Sequence, residues 1–263
     1  MTDTRNTGGT LAMPKRGAMA TPRHVLAAAM PFASATAEAA AAPAEYIKIP
    51  AHISMWGNDV HGDCVTAEEA FAKACHAPEI FITDAAVMSW ATAHAVLEGA
   101  YLHEVLQWMV NDGFREARHV YDDGPSFTVN WMIRANLTSA IAKGPVKIGI
   151  AADQLATVWH ANNGHNGWFA TGFHPDSNED HCTSLCGYGP LAWLAEQLRV
   201  RVPHGVNGRN FGYAMFTWNS IGIIDEPSMH AITHEAWLRR PTTVINPGGT
   251  AAKAGEKEAA EVA

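Results

Sequence analysis

The sequence predicts an α+β fold of two segregated lobes, helices first and strands later. Two observations carry this expectation. Apolar residues recur at helical spacing over about residues 64–142, and β-branched or aromatic runs bounded by glycine and proline follow over about 146–245. No internal repeat breaks that order. Two such lobes leave a cleft between them, where sites commonly lie.

Each element has its own signal. The stretch 64–76 places Ala67, Phe71 and Ala74 at i, i+4 and i+7, one face of a helix. Asp84 opens a second helix through Met88, Trp90 and Val96, which Gly99 ends. The stretch 102–110 carries Leu102, Val105, Leu106 and Met109 on one stripe and stops near Gly113. Residues 136–142 predict a short fourth helix. Strands are expected at 146–150 after Gly144-Pro145, at 182–188, at 211–218 and at 237–245. The stretch 190–210 reads as an inserted flap or partner-binding loop, and "ANNGHNGW" (161–168) as a loop bordering the cleft.

Length and composition bound the function. The 263 residues are 48% hydrophobic, enough for one large domain or two lobes around a cleft. A formal net charge of -8 leaves no basic excess for phosphates, so neither nucleic acid nor an anionic membrane is an expected partner. No apolar run is long enough to span a bilayer. The four cysteines, Cys64, Cys75, Cys182 and Cys186, are too few for a disulfide scaffold at this length. Reduced thiols and a cytoplasmic location are expected. The alternative is secretion, with residues 25–37 acting as a signal segment. Residues 1–45 read as a flexible leader without a long inhibitory propeptide, 46–245 as the folded domain (46–140 helical, 141–245 β-rich), and 246–263 as a disordered tail.

Four residues suggest chemistry. Cys64 opens a predicted helix behind a Gly-Asn-Asp turn, where free backbone N–H groups and the helix dipole favour a thiolate. Its bland alternative is a small buried hydrophobe. His181 follows Asp180 at the mouth of a strand, placed either as a base for the thiol or as a surface histidine. Asn219, in "FTWNSIG", either fixes the imidazole tautomer through its amide oxygen or simply forms a turn. Asn58 either donates to an oxyanion beside the N–H of Cys64 or makes the turn in "GND". Asp63 beside the nucleophile opposes ionisation of the thiol unless it points to solvent or caps the helix. Cys182 and Cys186 near His174 or His181 lack the tight turn of a zinc knuckle, so no metal is expected, and no cofactor.

The order Asn58, Cys64, Asp180-His181, Asn219-Ser220 resembles the papain-like cysteine peptidases, a family in which a histidine-paired cysteine has a depressed pKa. "EGAYLHEVLQWMVNDGF" (98–114) resembles that family's glycine turn and following helix, "AIAKGPVKIGIAA" (140–152) the strand that begins its β lobe, and "EDHCTSLCGYG" its histidine strand. A closer likeness is to a divergent bacterial and phage-type branch with an N-D-x-x-G-D-C motif. The similarity covers about residues 45–245 in islands. The resemblance implies a papain-like two-lobe fold, a helical lobe followed by a β-rich, barrel-like lobe. It implies a Cys64-His181-Asn219 triad, an oxyanion hole from Asn58 and the Cys64 N–H, and a substrate chain held along Gly62, Gly99, Ala100 and Asp180. The expected activity is cleavage of peptide or related amide bonds, with a peptide or protein substrate as partner. A thiol amidase or acyltransferase on a non-protein substrate, or a silent binding module, are the alternatives. This chain departs from the family at Asn58, where glutamine is usual, and at Ile221, where a tryptophan usually shields the histidine.

Overall fold

The computed structural model describes residues 13–32 and 42–245. Near the N-terminus lie β1 (Ala18–Met19) and α1 (Arg23–Ala28), then β2 (Tyr46–Ile47). The helical region follows, with α2 (Cys64–Ala74), α3 (Asp84–Ala93), β3 (Ala100–Tyr101) and α4 (Leu102–Met109). Short strands β4 (Phe114–Glu116), β5 (His119–Asp122) and β6 (Ser126–Thr128) lead to α5 (Arg134–Lys143). The remainder alternates: β7 (Val146–Ile150), α6 (Asp153–Ala161), β8 (Phe169–Ala170), β9 (His181–Pro190), α7 (Leu191–Gln197), β10 (Phe211–Thr217), β11 (Ser220–Asp225), α8 (Glu226–Ile232), β12 (Thr233–Arg239) and β13 (Thr243–Ile245).

The main sheet runs β6-β12-β7-β9-β10-β11-β8, with β2 also paired to β9. Its central pairs are antiparallel, and only the short β8 joins parallel, on β11. Alternation along the strands divides the core between two faces. Cys182, Cys186, Ala214, Phe216 and Trp237 face the packed helices α2–α4. Leu185, Tyr188, Tyr213, Met215 and Leu238 face α5, α6 and α8 on the other side. Phe71 of α2 stacks on Phe216 with ring centroids 4.0 Å apart and planes 5° from parallel. The central helix is thereby fixed to the sheet.

Three expectations are corrected. The stretch 237–245 is not one strand: it breaks at Arg240-Pro241, and β13 pairs with β5 in a separate three-stranded sheet. Proline supplies no N–H to continue the ladder. The stretch 190–210 is no free flap, because Leu191, Leu194 and Ala195 of α7 are buried and Val200, Val202 and Val206 pack on the same core. Residues 13–32, expected as a flexible leader, lie docked on the folded domain. Leader residues 1–12 and 33–41, with the small-residue pattern Ala35-Thr36-Ala37, and the tail from 246 lie outside the described residues. No described helix is long and apolar enough to cross a membrane.

Helix α2 is buried on nearly every side, its charged residues included. Lys147 of β7 pairs with Glu69, and its Nζ lies 3.4 Å from Glu68 Oε2. Arg239 of β12 reaches Glu68 at 2.5 Å and Glu69 at 3.2 Å, and Lys73 meets Asp123 at 2.9 Å. Burial pushes the Glu69 carboxyl up, but the charges of Arg239 and Lys147 outweigh it and hold it down at about 2. Each charge is tolerable only because its partners are present. Glu69→Gln leaves two buried cations short of one anion. A loss of about 3–5 kcal/mol is expected in urea unfolding at neutral pH. An unchanged midpoint would show that the network contributes nothing.

Candidate active site

Cys64 is the first residue of α2, and the carbonyl of Asp63 accepts the N–H groups of Thr66 and Ala67 at 2.9 and 3.0 Å. The thiol is almost fully buried. Its sulfur accepts the backbone N–H of Cys182 at 3.4 Å, and the N–H groups of Gly17 and Ala18 also face it. Burial pushes the thiol up to about 11, despite those amides. A helix start alone would lower it; here desolvation wins.

Asp63 neither points to solvent nor caps the helix. Its side chain is buried, and both carboxyl oxygens lack a hydrogen-bond partner. Burial pushes its carboxyl up to about 7.

His181 is the first residue of β9, one residue before the amide that meets the sulfur. Its Nε2 pairs with Thr217 Oγ1 at 2.7 Å, while its buried Nδ1 has no partner. Trp218 stacks on the ring, centroids 4.3 Å apart and planes 22° from parallel. Burial, with the nearby Arg16 charge, pushes the imidazole down to about 3. The ring is therefore neutral at physiological pH. With the proton on Nε2 donated to Thr217, the free Nδ1 lone pair can accept a proton.

The expected third residue is replaced. Trp218 and Asn219 form the two-residue turn between β10 and β11, where Thr217 pairs with Ser220. Both have positive φ, 42° and 55°, as a type I′ hairpin turn requires. Asn219 is exposed at that turn. The anchor on the imidazole is Thr217, two residues earlier and buried at the end of β10. Sequence reasoning missed it, although strand parity puts Thr217 with the inward residues Tyr213 and Met215. Asn58 is buried near the helix start, and its Nδ2 donates to the His61 carbonyl at 3.0 Å. That leaves one of its two N–H groups uncommitted in this interaction.

An N-terminal strap crosses these groups. Lys15 N–H donates to the Asn58 carbonyl at 3.1 Å, and Trp218 Nε1 donates to the Lys15 carbonyl at 3.2 Å. Ala18 N–H donates to the Asp180 carbonyl at 3.1 Å, and Ala100 N–H to the Gly17 carbonyl at 2.9 Å. β1 thus lies parallel to β3, with Ala18 beside Ala100. Further on, Thr21 N–H donates to Glu235 at 3.1 Å.

Glycines make the crossing fit. A Cβ on Gly17 would stand 1.8 Å from the Gly62 carbonyl oxygen. One on Gly62 would stand 2.8 Å from the Arg16 carbonyl, and one on Gly99 2.8 Å from the Gly17 carbonyl. The structure thus brings Gly62, Gly99, Ala100 and Asp180 together, all against one extended polypeptide segment. Among the described residues no three His, Cys, Asp or Glu side chains are grouped to hold a metal ion. All four cysteines are free and buried.

The folded domain has the papain-like fold. It is similar to xylellain, a cysteine protease from Xylella fastidiosa, with TM-score 0.59 and 12% identity over 89% of this chain and 98% of that one. The Amb a 11 cysteine protease of ragweed pollen, solved in its proform, gives 0.57 and 13%, over 85% and 74%. Digestive procathepsin L2 from the Tenebrio molitor larval midgut gives 0.54 and 13%, over 89% and 81%. No protein-family model matches the sequence, and no curated protein is detectably similar to it in sequence.

The imidazole gives a pH dependence of stability. Unfolded, it titrates near the ordinary 6.5; folded, at about 3. Between these values the native state binds fewer protons, so stability is full above about pH 6.5 and is lost as pH falls towards 3. His181→Gln is expected to flatten the fall in melting temperature across that window. A slope unchanged from the parent would contradict the buried neutral ring.

Proposed function

We propose that the chain is a cysteine peptidase-like hydrolase held closed by its own N-terminal strap. One observation carries this reading: an extended polypeptide lies over the Cys64 sulfur, hydrogen-bonded through its backbone to Asn58, Ala100 and Asp180. A cleft that grips a peptide backbone next to a thiol and an imidazole suits a peptide substrate better than a small non-protein amide. Structural neighbours of the same fold include cysteine proteases in proforms.

The chemistry follows from the groups present. With the strap away, water and substrate reach Cys64, and the upward push of burial on the thiol lessens. Once the opened site brings Nδ1 within reach of the sulfur, Cys64 gives it its proton and attacks the carbonyl carbon, forming a tetrahedral oxyanion. The N–H of Cys64 at the helix start and the uncommitted amide N–H of Asn58 are the donors for that oxyanion. His181 returns the proton to the leaving amine, giving a thioester. Water, deprotonated by His181, releases the acid and restores the thiol. Thr217 and Trp218 hold the ring throughout.

The silent-module alternative keeps one specific support, the donation from Asn58 to the His61 carbonyl rather than into the cleft. Gly17→Val separates the two readings in the full chain, because its side chain has no room against Gly62. The expected result is selective iodoacetamide labelling of Cys64, at least about tenfold faster than in the parent, with peptide hydrolysis that Cys64→Ser abolishes. Labelling no faster than at Cys75, Cys182 and Cys186 would overturn the proposal.

A further inference from the structure

The backbone of the strap explains its path, but the side chain of Arg16 makes a separate contact. Its Nη1 lies 2.5 Å from Asp153 Oδ1 and 2.7 Å from Asp180 Oδ2. The two carboxylates come from different segments. Asp153 opens α6, where a helix start favours an anion. Asp180 immediately precedes His181, and its other oxygen accepts the Ala152 N–H at 3.0 Å, which fixes the carboxylate. Its backbone carbonyl meanwhile holds Ala18 N–H. The same residue therefore grips both the backbone and the side chain of the polypeptide in the cleft.

We propose that Asp153 and Asp180 form a subsite for a basic peptide side chain, filled now by Arg16 and, once the strap has left, by an arginine or lysine of the substrate. Its use by a substrate rests on the peptidase reading; its preference for a cation does not. A single nitrogen satisfies both carboxylates, so an ammonium can replace the guanidinium there. Removal of Arg16 leaves the two carboxylates without a cation, Asp153 69% exposed to solvent and Asp180 24%, and a neutral side chain does not restore one. The place is also adjacent to the nucleophile: Arg16 directly precedes Gly17, whose N–H faces the Cys64 sulfur. A cation seated there lies close enough to His181 for its charge to act on the ring. The overall charge of -8 adds long-range attraction for basic peptides.

The test uses binding, so it does not depend on catalysis. The full chain carries Gly17→Val, to displace the strap, and Cys64→Ala, to prevent turnover. Two fluorescent peptides copy residues 13–20, one with arginine at the position of Arg16 and one with citrulline, its neutral counterpart. Anisotropy at low salt is expected to show the arginine peptide binding at least about tenfold tighter. Added Asp153→Asn should remove most of that preference, and a lysine peptide should retain most of it. Equal binding of the arginine and citrulline peptides overturns the subsite, as does binding of neither. A failed peptidase reading shows differently, as an unreactive Cys64 in the labelling experiment with the cation preference intact.

Discussion

The close approach of backbone at Gly17, Gly62 and Gly99, with Gly17 against the Cys64 sulfur, is the constraint on which the site depends. Gly17 lies where any side chain would strike Gly62, and Gly99 where any would strike Gly17. Backbone can therefore sit directly on the mouth of α2 and exclude water. That exclusion sets the charge state of the chemistry beneath. A thiol at a helix start and an imidazole at a strand mouth would favour an ion pair if wetted. Covered, both are neutral, the thiol held up at about 11 and the ring down at about 3. On the proposed reading, the same two side chains become reactive when that strand of polypeptide leaves.

Such a site needs a rigid floor. The helix that presents Cys64 is clamped to the sheet by the Phe71–Phe216 stack and by buried ion pairs from Glu68 and Glu69 to Lys147 and Arg239. The strand that presents His181 is central in that sheet, paired to β7, β10 and β2. The hairpin bearing Thr217 and Trp218 is anchored beneath by Ser220, whose hydroxyl accepts the indole N–H groups of Trp159 and Trp168. Cys64, His181 and Thr217 therefore come from three elements of one packed unit, which limits their relative motion.

Much of this was legible in the sequence. The helix start at Cys64 and the strand at His181 follow from local spacing and turn residues, while Gly62, Gly99, Ala100 and Asp180, which the strap's backbone approaches, were named through the family resemblance. What escaped has physical reasons. Asn219 is the more familiar partner for an imidazole, but the two-residue turn directs it to solvent, and only the hairpin register reveals that Thr217 faces inward. The ion pairs of Glu68, Glu69 and Lys73 went unread, because their partners lie far away along the chain. The strap escaped because backbone hydrogen bonds and missing side chains hold it, and a stretch of Gly, Ala, Thr and Pro carries no apolar pattern to betray docking.

The central claim is that the strap covers the sulfur in solution. Amide hydrogen exchange measured by NMR on the unmodified chain tests it most directly at Ala18 and Ala100, whose N–H groups donate to Asp180 and Gly17. The account expects both amides to be strongly protected and to gain exchange together when the strap is displaced. Exchange of Ala18 at the rate of an unstructured peptide, with the folded domain intact, would contradict it.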